Sequence, residues 1–507
     1  MKIELINDGS ADNEMTLADF LRKQGIRLVL PCGGMGSCGG CHINVRDGSG
    51  SRQVLACQTR IGDLTGDKAE IDVEPDQIAD IPEVSSEGQG KRQWYAATDL
   101  GSTTIETAAV SPDGSIIGSV RLENPQRTYG ADVLSRIKAA SSGSIAGSDM
   151  QRLAESTIQG ELSMLAGRYG LTGIPKALAV AANTTMGHLL AGDDVSPLGH
   201  APFDPGDIGL RDLTDLFFLD NGRAYLLPGI SAFVGGDIVS GIYSLDMDRD
   251  DSCTLLLDLG TNGEMAVGNR DGFVVASTAA GPAFEAANIS CGCAGIAGAI
   301  KEVSFVNGRV RLSLIPWEEE TAGLSPGELM QRKARLSLKR PAGLCGSGLI
   351  SAVASMKREG IIDQNGTYVR DEWIKRGYPL WRGRGGDDIR LLQDDIRELL
   401  MAKAAISAGL TVLLHSLHMH PVRVYLAGGF GEGLSVPDAI DIGLFPEELN
   451  DTDIIPCGNT SLKGAVSFLS EREDAGERMK RICSISREVR LGDSAEFAEL
   501  YIRKMKI

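Results

Sequence analysis

The sequence predicts a multidomain protein of mixed α/β and α+β class, in which a small N-terminal domain precedes a larger domain built twice on one plan. Three observations predict this organisation. Four cysteines lie in a glycine-rich segment that ends at residue 57, a polar stretch with Pro, Ser and Gly follows, and an Asp-Leu-Gly pattern then occurs twice. The predicted boundaries are 1–78 for the N-terminal domain, 79–93 for a linker, and 94–250 and 251–507 for the two halves of the larger domain.

Composition limits the classes of protein to which the chain belongs. Its 507 residues are too many for one domain, and a hydrophobic content of 42% is enough for several cores. The net charge of −18 argues against nucleic acid as a partner. No uninterrupted apolar run reaches the roughly 18 residues that span a bilayer, so no membrane is expected. The N-terminus, MKIELIND, lacks the layout of a secretory signal, and ten cysteines suit reduced thiols, which predicts a cytoplasmic protein.

The first elements are predicted from alternation and turn signals. KIELIN alternates as a strand does, and Thr16 is placed to cap a helix through TLADFLRKQG. HINV is a second predicted strand, and AEIDVEP at 69–75 is the last one. The N-terminal domain is therefore predicted as strand, helix, glycine-rich loop, strand and closing strand.

The glycine-rich loop carries the most specific chemistry of the chain. Five residues separate Cys32 from Cys38, two separate Cys38 from Cys41, and fifteen separate Cys41 from Cys57. The glycines between them let the backbone fold around an inorganic core and direct N–H groups at its sulfurs. A structural zinc site is the alternative, but zinc ribbons pair two short Cys-x-x-Cys knuckles and this segment has one. The four cysteines are therefore predicted to hold a [2Fe–2S] cluster.

This order of elements and this cysteine spacing resemble the β-grasp ferredoxins over about residues 1–78. The first gap between cysteines is one residue longer than the plant-type spacing, which is similar to the adrenodoxin-like branch. The LACQT run around Cys57 fits that branch too. The resemblance implies that the N-terminal domain is a β-grasp [2Fe–2S] ferredoxin domain.

After the linker the chain repeats one pattern. WYAATDLGSTTIETAAVSPDGSIIGSV spans residues 94–120, and CTLLLDLGTNGEMAVGNRDGFVVASTAA spans 253–280. Each is an apolar strand that ends in Asp-Leu-Gly, followed by a second strand, an Asp-Gly turn and a third strand. Two unrelated hairpins are the alternative, but the shared start at Asp99 and Asp258 favours an internal duplication. Two homologous subdomains that face each other are therefore predicted.

The two Asp-Leu-Gly turns are predicted to bind nucleotide phosphates. Glycine at each turn lets backbone N–H groups come close to anionic oxygens, and hydroxyl and amide side chains there can donate hydrogen bonds. A carboxylate at Asp99 or Asp258 can hold Mg²⁺ directly or through water. The predicted phosphate-binding residues of the two turns are Gly101, Ser102, Thr103, Gly260, Thr261, Asn262 and Gly263.

A third glycine-rich turn completes the predicted ATP site. VRVYLAGGFGEGL at 422–434 is an apolar strand that runs into a glycine cluster, and such a turn suits close contact with adenosine or its α-phosphate. Gly428, Gly429 and Gly431 are its predicted cofactor-binding residues. One glycine loop alone is a weak signal, whereas three loops together predict ATP.

Two further acidic residues lie in these motifs. Asp237, in FVGGDIVSG, precedes a helical pattern and is a candidate for positioning the water that attacks ATP; the alternative is a helix N-cap. Glu264 lies on a predicted strand, where a solvated side chain is the simpler interpretation. Asp99, Asp258 and Asp237 are therefore the predicted catalytic residues.

The paired DLGST and DLGTNGE turns with the late AGGFG turn resemble the ATPase superfamily of sugar kinases, heat-shock chaperones and actin, whose fold is RNase H-like. More narrowly, the chain is similar to the reductive activators of corrinoid proteins, which fuse a ferredoxin to such an ATPase. The segments that carry this resemblance are ENPQRTYGADVLSRI (123–137), ANTTMGHLLAG (182–192), AFVGGDIVSGI (232–242), AAGPAFEAANISCG (279–292), AGLCGSGLI (342–350), DDIRELLMAKAAISAGLTVLL (394–414) and GNTSLKGA (458–465).

The resemblance covers nearly the whole chain and implies an ATP-dependent enzyme that returns an inactive Co(II) corrinoid protein to Co(I). Its implied partners are that corrinoid protein and an upstream low-potential electron donor. Members of the family usually carry a further segment between the ferredoxin and ATPase parts, whereas this chain has only the short linker. Any docking or dimerisation role of that segment is open here, and a homodimer is open with it.

Two functions from other classes remain open on the sequence. A ferredoxin-linked kinase would phosphorylate a small metabolite and would release ADP in response to it. An electron-carrier module would use the ATPase fold only as a docking surface and would show no ATP turnover.

Overall fold

The fold is given by a computed structural model of the chain. It describes residues 2–6, 15–23, 42–66, 68–73, 93–130, 132–217, 219, 222–286, 288–316, 340–383, 388–417, 419–428, 433–471 and 473–507. The predicted linker at 79–93 lies almost wholly outside the described residues.

The N-terminal part forms a four-stranded antiparallel sheet with one helix. The strands are β1 (Lys2–Ile6), β2 (His42–Asp47), β3 (Gly50–Leu55) and β4 (Lys68–Asp72), in the spatial order β1-β4-β2-β3, and the helix is α1 (Leu17–Lys23). The predicted strands at KIELIN, HINV and AEIDVEP and the helix after Thr16 are confirmed. Strand β3 is an addition that the sequence analysis did not predict, and it pairs with β2 along its whole length.

A core of its own stabilises this sheet. Leu21 of the helix and Ile43, Val45 and Ile71 of the strands are all at most 1% exposed. Apolar residues alternate along β2 and β4 because one face of the sheet is buried and the other meets solvent. Cys57, in the turn after β3, packs against the same core.

The first half of the larger domain surrounds a six-stranded mixed sheet. Its strands are β5 (Tyr95–Leu100), β6 (Thr104–Val110), β7 (Ile116–Glu123), β8 (Ala177–Ala182), β9 (Arg211–Asp212) and β10 (Arg223–Leu226). Its helices are α2 (Val133–Ser141), α3 (Ser144–Arg168), α4 (Thr184–Ala191), α5 (Thr214–Phe217) and α6 (Gly236–Ser244). Tight turns close the antiparallel hairpins and helical connections join the parallel strands, as an α/β fold requires.

The second half is larger. Its strands are β11 (Thr254–Leu259), β12 (Gly263–Asn269), β13 (Gly272–Thr278), β14 (Ala299–Val306), β15 (Arg309–Leu314), β16 (Gly343–Leu344), β17 (Tyr378–Trp381), β18 (Ile389–Leu391), β19 (Arg423–Ala427), β20 (Asp453–Gly458) and β21 (Ser486–Glu488). Its helices are α7 (Gly346–Arg358), α8 (Asp371–Arg376), α9 (Gln393–Leu417), α10 (Val436–Asp441), α11 (Thr460–Glu471), α12 (Glu473–Ser484) and α13 (Ala495–Arg503).

The two main sheets follow one plan, which confirms the predicted duplication. The first sheet contains the order β7-β6-β5-β8-β10, and the second contains the order β13-β12-β11-β19-β20. In each half, the strand that ends in Asp-Leu-Gly pairs antiparallel with the next strand and parallel with a later one. The predicted duplicated fold of the RNase H-like type is therefore confirmed.

A shared core joins the two halves. It combines Ala97 and Ala108 of the first sheet with Leu256 of the second. Helices α6 and α11 approach closely within it, because a Cβ at Gly464 would lie only 2.3 Å from the carbonyl oxygen of Ser240. This contact holds the first turn of α11 beside strand β5 of the first half.

Helix α9 is buried beneath the second sheet. The predicted buried face of Leu399, Ala402, Ile406 and Leu410 is confirmed, since each side chain is at most 1% exposed. Within the described parts of the chain, α9 is also the helix that is long and apolar enough to cross a membrane. However, 83% of its apolar stretch is buried inside the protein. The core therefore accounts for the apolar character of this helix.

Candidate functional site

The two Asp-Leu-Gly turns follow the first strand of each half. At the end of β5, the N–H of Gly101 donates to the carbonyl of Thr104 at 3.0 Å, and at the end of β11 the N–H of Gly260 donates to the carbonyl of Asn262 at 3.0 Å. A Cβ at Gly101 would lie 2.8 Å from the Thr104 oxygen, so glycine suits this turn. Each turn brings short polar side chains to the carboxyl end of a central strand, where α/β proteins bind ligands.

The turns of the two halves meet each other. The hydroxyl oxygens of Thr103 and Thr261, 158 residues apart in sequence, lie 3.1 Å apart. Both hydroxyls also contact one carboxylate oxygen, Glu285 Oε2, at 3.1 Å from Thr103 and 3.2 Å from Thr261. Residues of both turns therefore share one cleft between the halves, as the binding of a polyphosphate requires.

The third glycine-rich turn begins beside the second Asp-Leu-Gly turn. Strand β19 pairs in parallel with β11, and Ala427 lies opposite Asp258. Gly428 has a φ of +90°, and a Cβ there would lie 2.8 Å from Asp258 Oδ1. The left-handed backbone and the close carboxylate both favour glycine at this position. Gly429 and Gly431 lie outside the described residues.

Each hairpin carries a pair of carboxylates at facing positions of its two strands. Asp99 lies opposite Glu106 in the first hairpin, and Asp258 lies opposite Glu264 in the second. Glu264 is only 9% exposed, so its interpretation as a solvated side chain is wrong. Facing positions place both members of a pair on one face of the sheet, where their like charges need balance.

Polar groups balance the first pair. Ser461 Oγ donates to Asp99 Oδ1 at 2.7 Å, and Asn459 Nδ2 donates to Asp99 Oδ2 at 2.9 Å. Glu106 Oε2 accepts from Arg121 at 2.6 Å and from Asn459 at 3.2 Å. Asn459 also accepts a backbone N–H in the first turn of α11 through its Oδ1. Burial nevertheless raises the pKa of Asp99, although the hydrogen bonds from Ser461 and Asn459 oppose that shift.

The second pair is less well balanced. Burial, followed by the charges of Asp237 and Asp99, raises the pKa of Asp258 to about 8. Burial, Asp237 and Asp258 likewise raise the pKa of Glu264 well above its ordinary value. No basic side chain within the described residues opposes either shift. A bound cation would therefore gain more beside Asp258 than beside Asp99.

Magnesium fits this arrangement. The described residues contain no group of three or more acidic, His or Cys side chains that could hold a metal ion by themselves. Mg²⁺ needs no such group, because it keeps several waters and binds through one or two carboxylates together with substrate phosphates. Asp258 and Asp99 supply such carboxylates beside the two turns, and a cation bound there would oppose the burial and like charges that raise the pKa of Asp258.

Asp237 stands in the first turn of helix α6. The N-cap of that helix is Gly235, so the alternative interpretation of Asp237 as the N-cap is wrong. Its Oδ1 accepts the N–H of Ile238 at 2.8 Å. Burial, to which the charge of Asp99 adds, raises the pKa of Asp237 to about 7. A carboxylate that titrates near neutrality is suited to accept a proton from water.

Arg136 is a residue of the site that the sequence analysis did not single out. Its guanidinium is fully buried and donates to the carbonyl of Ser102, to the carbonyl of Gly130 at 3.0 Å and to Met186 Sδ at 3.1 Å. Burial lowers the pKa of Arg136 to about 10. These contacts fix the backbone of the first turn at Ser102, and the only signal for them was the position of Arg136 within ENPQRTYGADVLSRI.

The remaining residues of the second turn have different surroundings. A hydrogen bond from the Asn262 side chain opposes the raised pKa of Glu264. Gly263 begins β12, and a Cβ there would lie 1.9 Å from Ile406 Cδ1. Glycine at position 263 therefore permits helix α9 to pack beneath the turn, and a contact between Gly263 and a nucleotide stays a prediction.

The cluster site is described only at its fourth cysteine. Cys57 is 6% exposed, and Gln58 Nε2 lies 3.7 Å from its Sγ as a hydrogen-bond donor. Hydrogen bonds to ligating sulfurs are among the features that set the potential of iron–sulfur centres. Cys57 therefore fits a cluster ligand, whereas Cys32, Cys38 and Cys41 lie outside the described residues.

A buried carboxyl lies behind the first turn. Glu161 of helix α3 is fully buried, and its Oε2 accepts from Thr107 Oγ1 at 2.5 Å. Thr107 Oγ1 in turn lies 2.9 Å from Thr98 Oγ1. Burial raises the pKa of Glu161 to about 8. Because Thr98 and Thr107 occupy the face of the sheet opposite Asp99 and Glu106, this group supports the hairpin from behind.

We expect Glu161→Gln to make stability less dependent on pH. The folded pKa of about 8 lies above the ordinary value of 4.5, so the carboxyl's contribution is fully present below pH 4.5. That contribution is lost as pH rises through 8, by at most about 5 kcal/mol. The amide of the variant does not ionise, so the free energy of unfolding of the variant should rise relative to that of the wild type as pH increases.

Thermal unfolding at about pH 4, 6 and 9 measures this difference. Glu155→Gln, at a partly exposed position of the same helix, is the matched control. A gap between Glu161→Gln and the wild type that did not widen with pH would contradict the expectation.

Three families of known proteins match consecutive parts of the chain. The 2Fe-2S iron-sulfur cluster binding domain matches residues 9–62, and the RACo middle region matches residues 95–250. The family described as the C-terminal domain of RACo, the ASKHA domain, matches residues 252–507, which is half of the chain. These matches confirm the predicted [2Fe–2S] cluster and the predicted ATPase fold.

Two relatives and one solved structure extend the comparison. The corrinoid activation enzyme RamQ of Eubacterium limosum is 26% identical over 596 aligned residues, which cover 96% of this chain and 95% of that enzyme. The [Co(II) methylated amine-specific corrinoid protein] reductase of Methanosarcina barkeri is 26% identical over 326 residues, or 62% of this chain and 58% of that protein. The structure of a reductive activator for corrinoid, iron-sulfur protein superposes with a TM-score of 0.71 at 26% identity and covers 99% of this chain and 98% of its own.

Proposed function

This chain belongs to the family of RACo, whose ASKHA domain it carries, and we propose that it is an ATP-dependent enzyme that reactivates a corrinoid protein by reducing its cobalt from Co(II) to Co(I). One observation carries the proposal: a [2Fe–2S] domain and a cleft in which two phosphate turns meet at Thr103 and Thr261 belong to a single chain. The relatives with which it shares both parts are corrinoid activators by name.

The N-terminal domain carries the electron. Cys32, Cys38, Cys41 and Cys57 would hold the [2Fe–2S] cluster through their thiolates, and the cluster would supply a one-electron carrier at roughly −400 mV. One electron from a low-potential donor protein would convert the corrinoid cobalt from Co(II) to Co(I), and no proton is required. The buried position of Cys57 and the N–H donor of Gln58 beside its sulfur are what the described residues add to this site.

The larger domain supplies the driving force. A corrinoid acceptor more negative than the donor makes the transfer unfavourable, by about 2.3 kcal/mol, or roughly fifty-fold, for each 100 mV. A protein that binds one redox state of its partner more tightly shifts that equilibrium. A polyphosphate bound to Thr103 and Thr261 at once would connect the two halves, so nucleotide binding and release can change how the cleft faces its partner.

Hydrolysis uses the carboxylates of Asp237, Asp258 and Asp99. The water oxygen bonds to the γ-phosphorus of ATP, the bond to the ADP oxygen breaks, and the water proton passes to the carboxylate of Asp237. The pKa of Asp237, about 7, suits this proton transfer near neutral pH. Asp258, with Asp99 across the cleft, would hold Mg²⁺, which offsets the charge of the phosphates.

The partners follow from this chemistry. We infer a corrinoid protein, an electron-donor protein, and a cytoplasmic location in which both are present. The proposal needs neither nucleic acid nor a membrane, and the net charge of −18 suits basic protein surfaces better than polyanions. A homodimer stays a prediction.

We expect Co(I) to accumulate only when hydrolysable ATP is present. The reconstituted protein is mixed with a Co(II) corrinoid protein and a reductant, and the cobalt spectrum is followed without nucleotide, with ATP, and with a non-hydrolysable analogue. Equal yields of Co(I) in all three would remove ATP from the mechanism. ADP release stimulated by a small metabolite would favour the kinase instead, and a complete lack of turnover would favour the electron-carrier module.

A further inference from the structure

Glu285 occupies the junction of the two phosphate turns without belonging to either. It ends a short 3-10 helix, Pro282–Glu285, that follows strand β13. Its backbone is anchored, because the neighbouring Ala283 and Phe284 are at most 2% exposed and pack in the core of the second half. Its half-buried carboxylate reaches back to the hydroxyls of Thr103 and Thr261.

The number of hydroxyl protons limits how many acceptors Thr103 and Thr261 can serve. A threonine hydroxyl has one proton to donate. Each hydroxyl directs its one proton either to Glu285 Oε2, 3.1 Å from Thr103 and 3.2 Å from Thr261, or to the other hydroxyl, 3.1 Å away, so neither proton is free for another acceptor. A phosphate oxygen can receive neither proton until that carboxylate leaves, and two anions do not share this small space without mutual repulsion.

Resting on the proposed function, we propose that Glu285 is an intramolecular competitor of the nucleotide: its carboxylate takes the place of a phosphate oxygen between Thr103 and Thr261, and ATP must displace it to bind. The displacement requires only rotation of the Glu285 side chain, since Ala283 and Phe284 hold the backbone. Glu285 thereby lowers the affinity for nucleotide, which favours release in a cycle of nucleotide loading and release.

A cation near the cleft is available to the displaced carboxylate. Burial raises the pKa of Glu285, and the hydrogen bonds from Thr103 and Thr261 and the charge of Arg127 oppose that shift. The Arg127 guanidinium is 41% exposed and pairs with Glu123 at 3.3 Å, an exposed contact that is weak and easily exchanged. Arg127 is therefore an alternative partner for the Glu285 carboxylate when a phosphate oxygen accepts from the two hydroxyls.

Direct nucleotide binding tests this proposal. The dissociation constants of Mg-ATP and Mg-ADP are measured by calorimetry on the full chain with its cluster, for the wild type, Glu285→Ala and Glu285→Gln. Glu285→Ala frees both hydroxyls, and we expect it to bind nucleotide about tenfold more tightly. Glu285→Gln keeps a weaker, neutral acceptor and should lie between Glu285→Ala and the wild type. Glu302→Gln, at an exposed position of β14, is the matched control and should bind as the wild type does.

A second set of variants separates competition from a general effect on the fold. In a Thr103→Val, Thr261→Val background the hydroxyls are gone, so removing Glu285 should change the affinity by less than about twofold. Persistence of the tenfold gain in that background would show that Glu285 acts elsewhere and would overturn the proposal.

The remaining outcomes are equally decisive. Unchanged or weaker nucleotide binding by Glu285→Ala would overturn the competitor role, and weaker binding would make Glu285 part of the nucleotide site. If the wild type and all variants failed to bind nucleotide while retaining cluster absorption and a cooperative unfolding transition, the proposed function would fail together with this inference. Wild-type binding without tighter binding by Glu285→Ala would reject the inference alone.

Discussion

Replacement of Cys57 by serine is expected to remove most of the visible absorption of the reconstituted protein and to lower the rate of cobalt reduction at least about 100-fold. A serine hydroxyl stays protonated near neutral pH and is a harder donor than a thiolate, so it does not replace the fourth ligand of an iron–sulfur cluster. The affinity for ATP should stay within about twofold of the wild-type value, because the N-terminal sheet has a core of its own.

The structure makes this a clean experiment on ligation. Cys57 is 6% exposed in a turn beside that core, and serine is of similar size, so the sheet itself should survive the exchange. Cys457→Ser is the matched control, since Cys457 is a partly exposed cysteine of the second half. Iron content and visible absorption measured after anaerobic loading report on the cluster, and circular dichroism reports on the fold. Full absorption in Cys57→Ser would show that this residue is not a ligand.

The sequence predicted those strands whose own residues alternate. KIELIN, HINV and AEIDVEP each carry their pattern locally, and each forms the expected strand. Strand β3, by contrast, opens with Gly50, a residue type that is depleted in strands, and two polar residues follow it. It is a strand because β2 offers it a complete set of pairing partners, and that information lies in the tertiary structure.

The same distinction separates the predicted from the unpredicted parts of the cleft. Asp99 and Asp258 could be singled out because each lies in a short pattern that the chain repeats. Their neighbours come from positions far along the chain, and no local pattern connects such residues to a given turn. These neighbours are Arg136, Glu285, Asn459 and Ser461. The segments that contain these residues resemble segments of a known family. That resemblance identified the segments, but it did not predict which residues contact the turns.

Burial was the property that the identity and local pattern of a residue predicted least well. Glu264 on a strand suggested a solvated side chain, yet it faces Asp258 and is only 9% exposed. Asp237 was a candidate for positioning water with an N-cap as the alternative, and the cap is excluded because the helix begins earlier, at Gly236; the carboxylate is buried near Asp99. Both surroundings depend on packing between elements that lie far apart in the sequence, which no local pattern shows.

Replacement of Asp258 by asparagine is expected to lower ATP hydrolysis at least about 100-fold. The carboxylate stands beside the second Asp-Leu-Gly turn and against Gly428 of the third turn, where the proposed Mg²⁺ would offset the charge of the phosphates. Asparagine has a similar shape but no charge, so it should weaken the dependence of nucleotide binding on Mg²⁺. Binding of ATP in the presence of chelator should change little, and cluster absorption should not change.

The same substitution should also stabilise the protein. Burial and the charges of Asp237 and Asp99 raise the pKa of Asp258 to about 8, above its ordinary value of 3.8, so the wild type loses stability as pH rises through that range. The neutral amide of the variant would carry no such penalty, and we expect the melting temperature of Asp258→Asn to exceed that of the wild type by about 2–5 °C at pH 8. Asp215→Asn, on the exposed side of α5, should alter neither quantity.

Loss of hydrolysis together with higher thermal stability separates a functional carboxylate from a structural one. If Asp258 had a structural role, its replacement would destabilise the folded state and lower the melting temperature. Activity would then fall only in proportion to the unfolded fraction. A functional Asp258 is kept despite its cost, because the cation and phosphates of the reaction supply the balance that the described residues do not. Calorimetry in Mg²⁺ and in chelator, beside an ATPase assay, distinguishes the two cases: only the functional case predicts that added Mg-ATP raises the melting temperature of the wild type more than that of the variant.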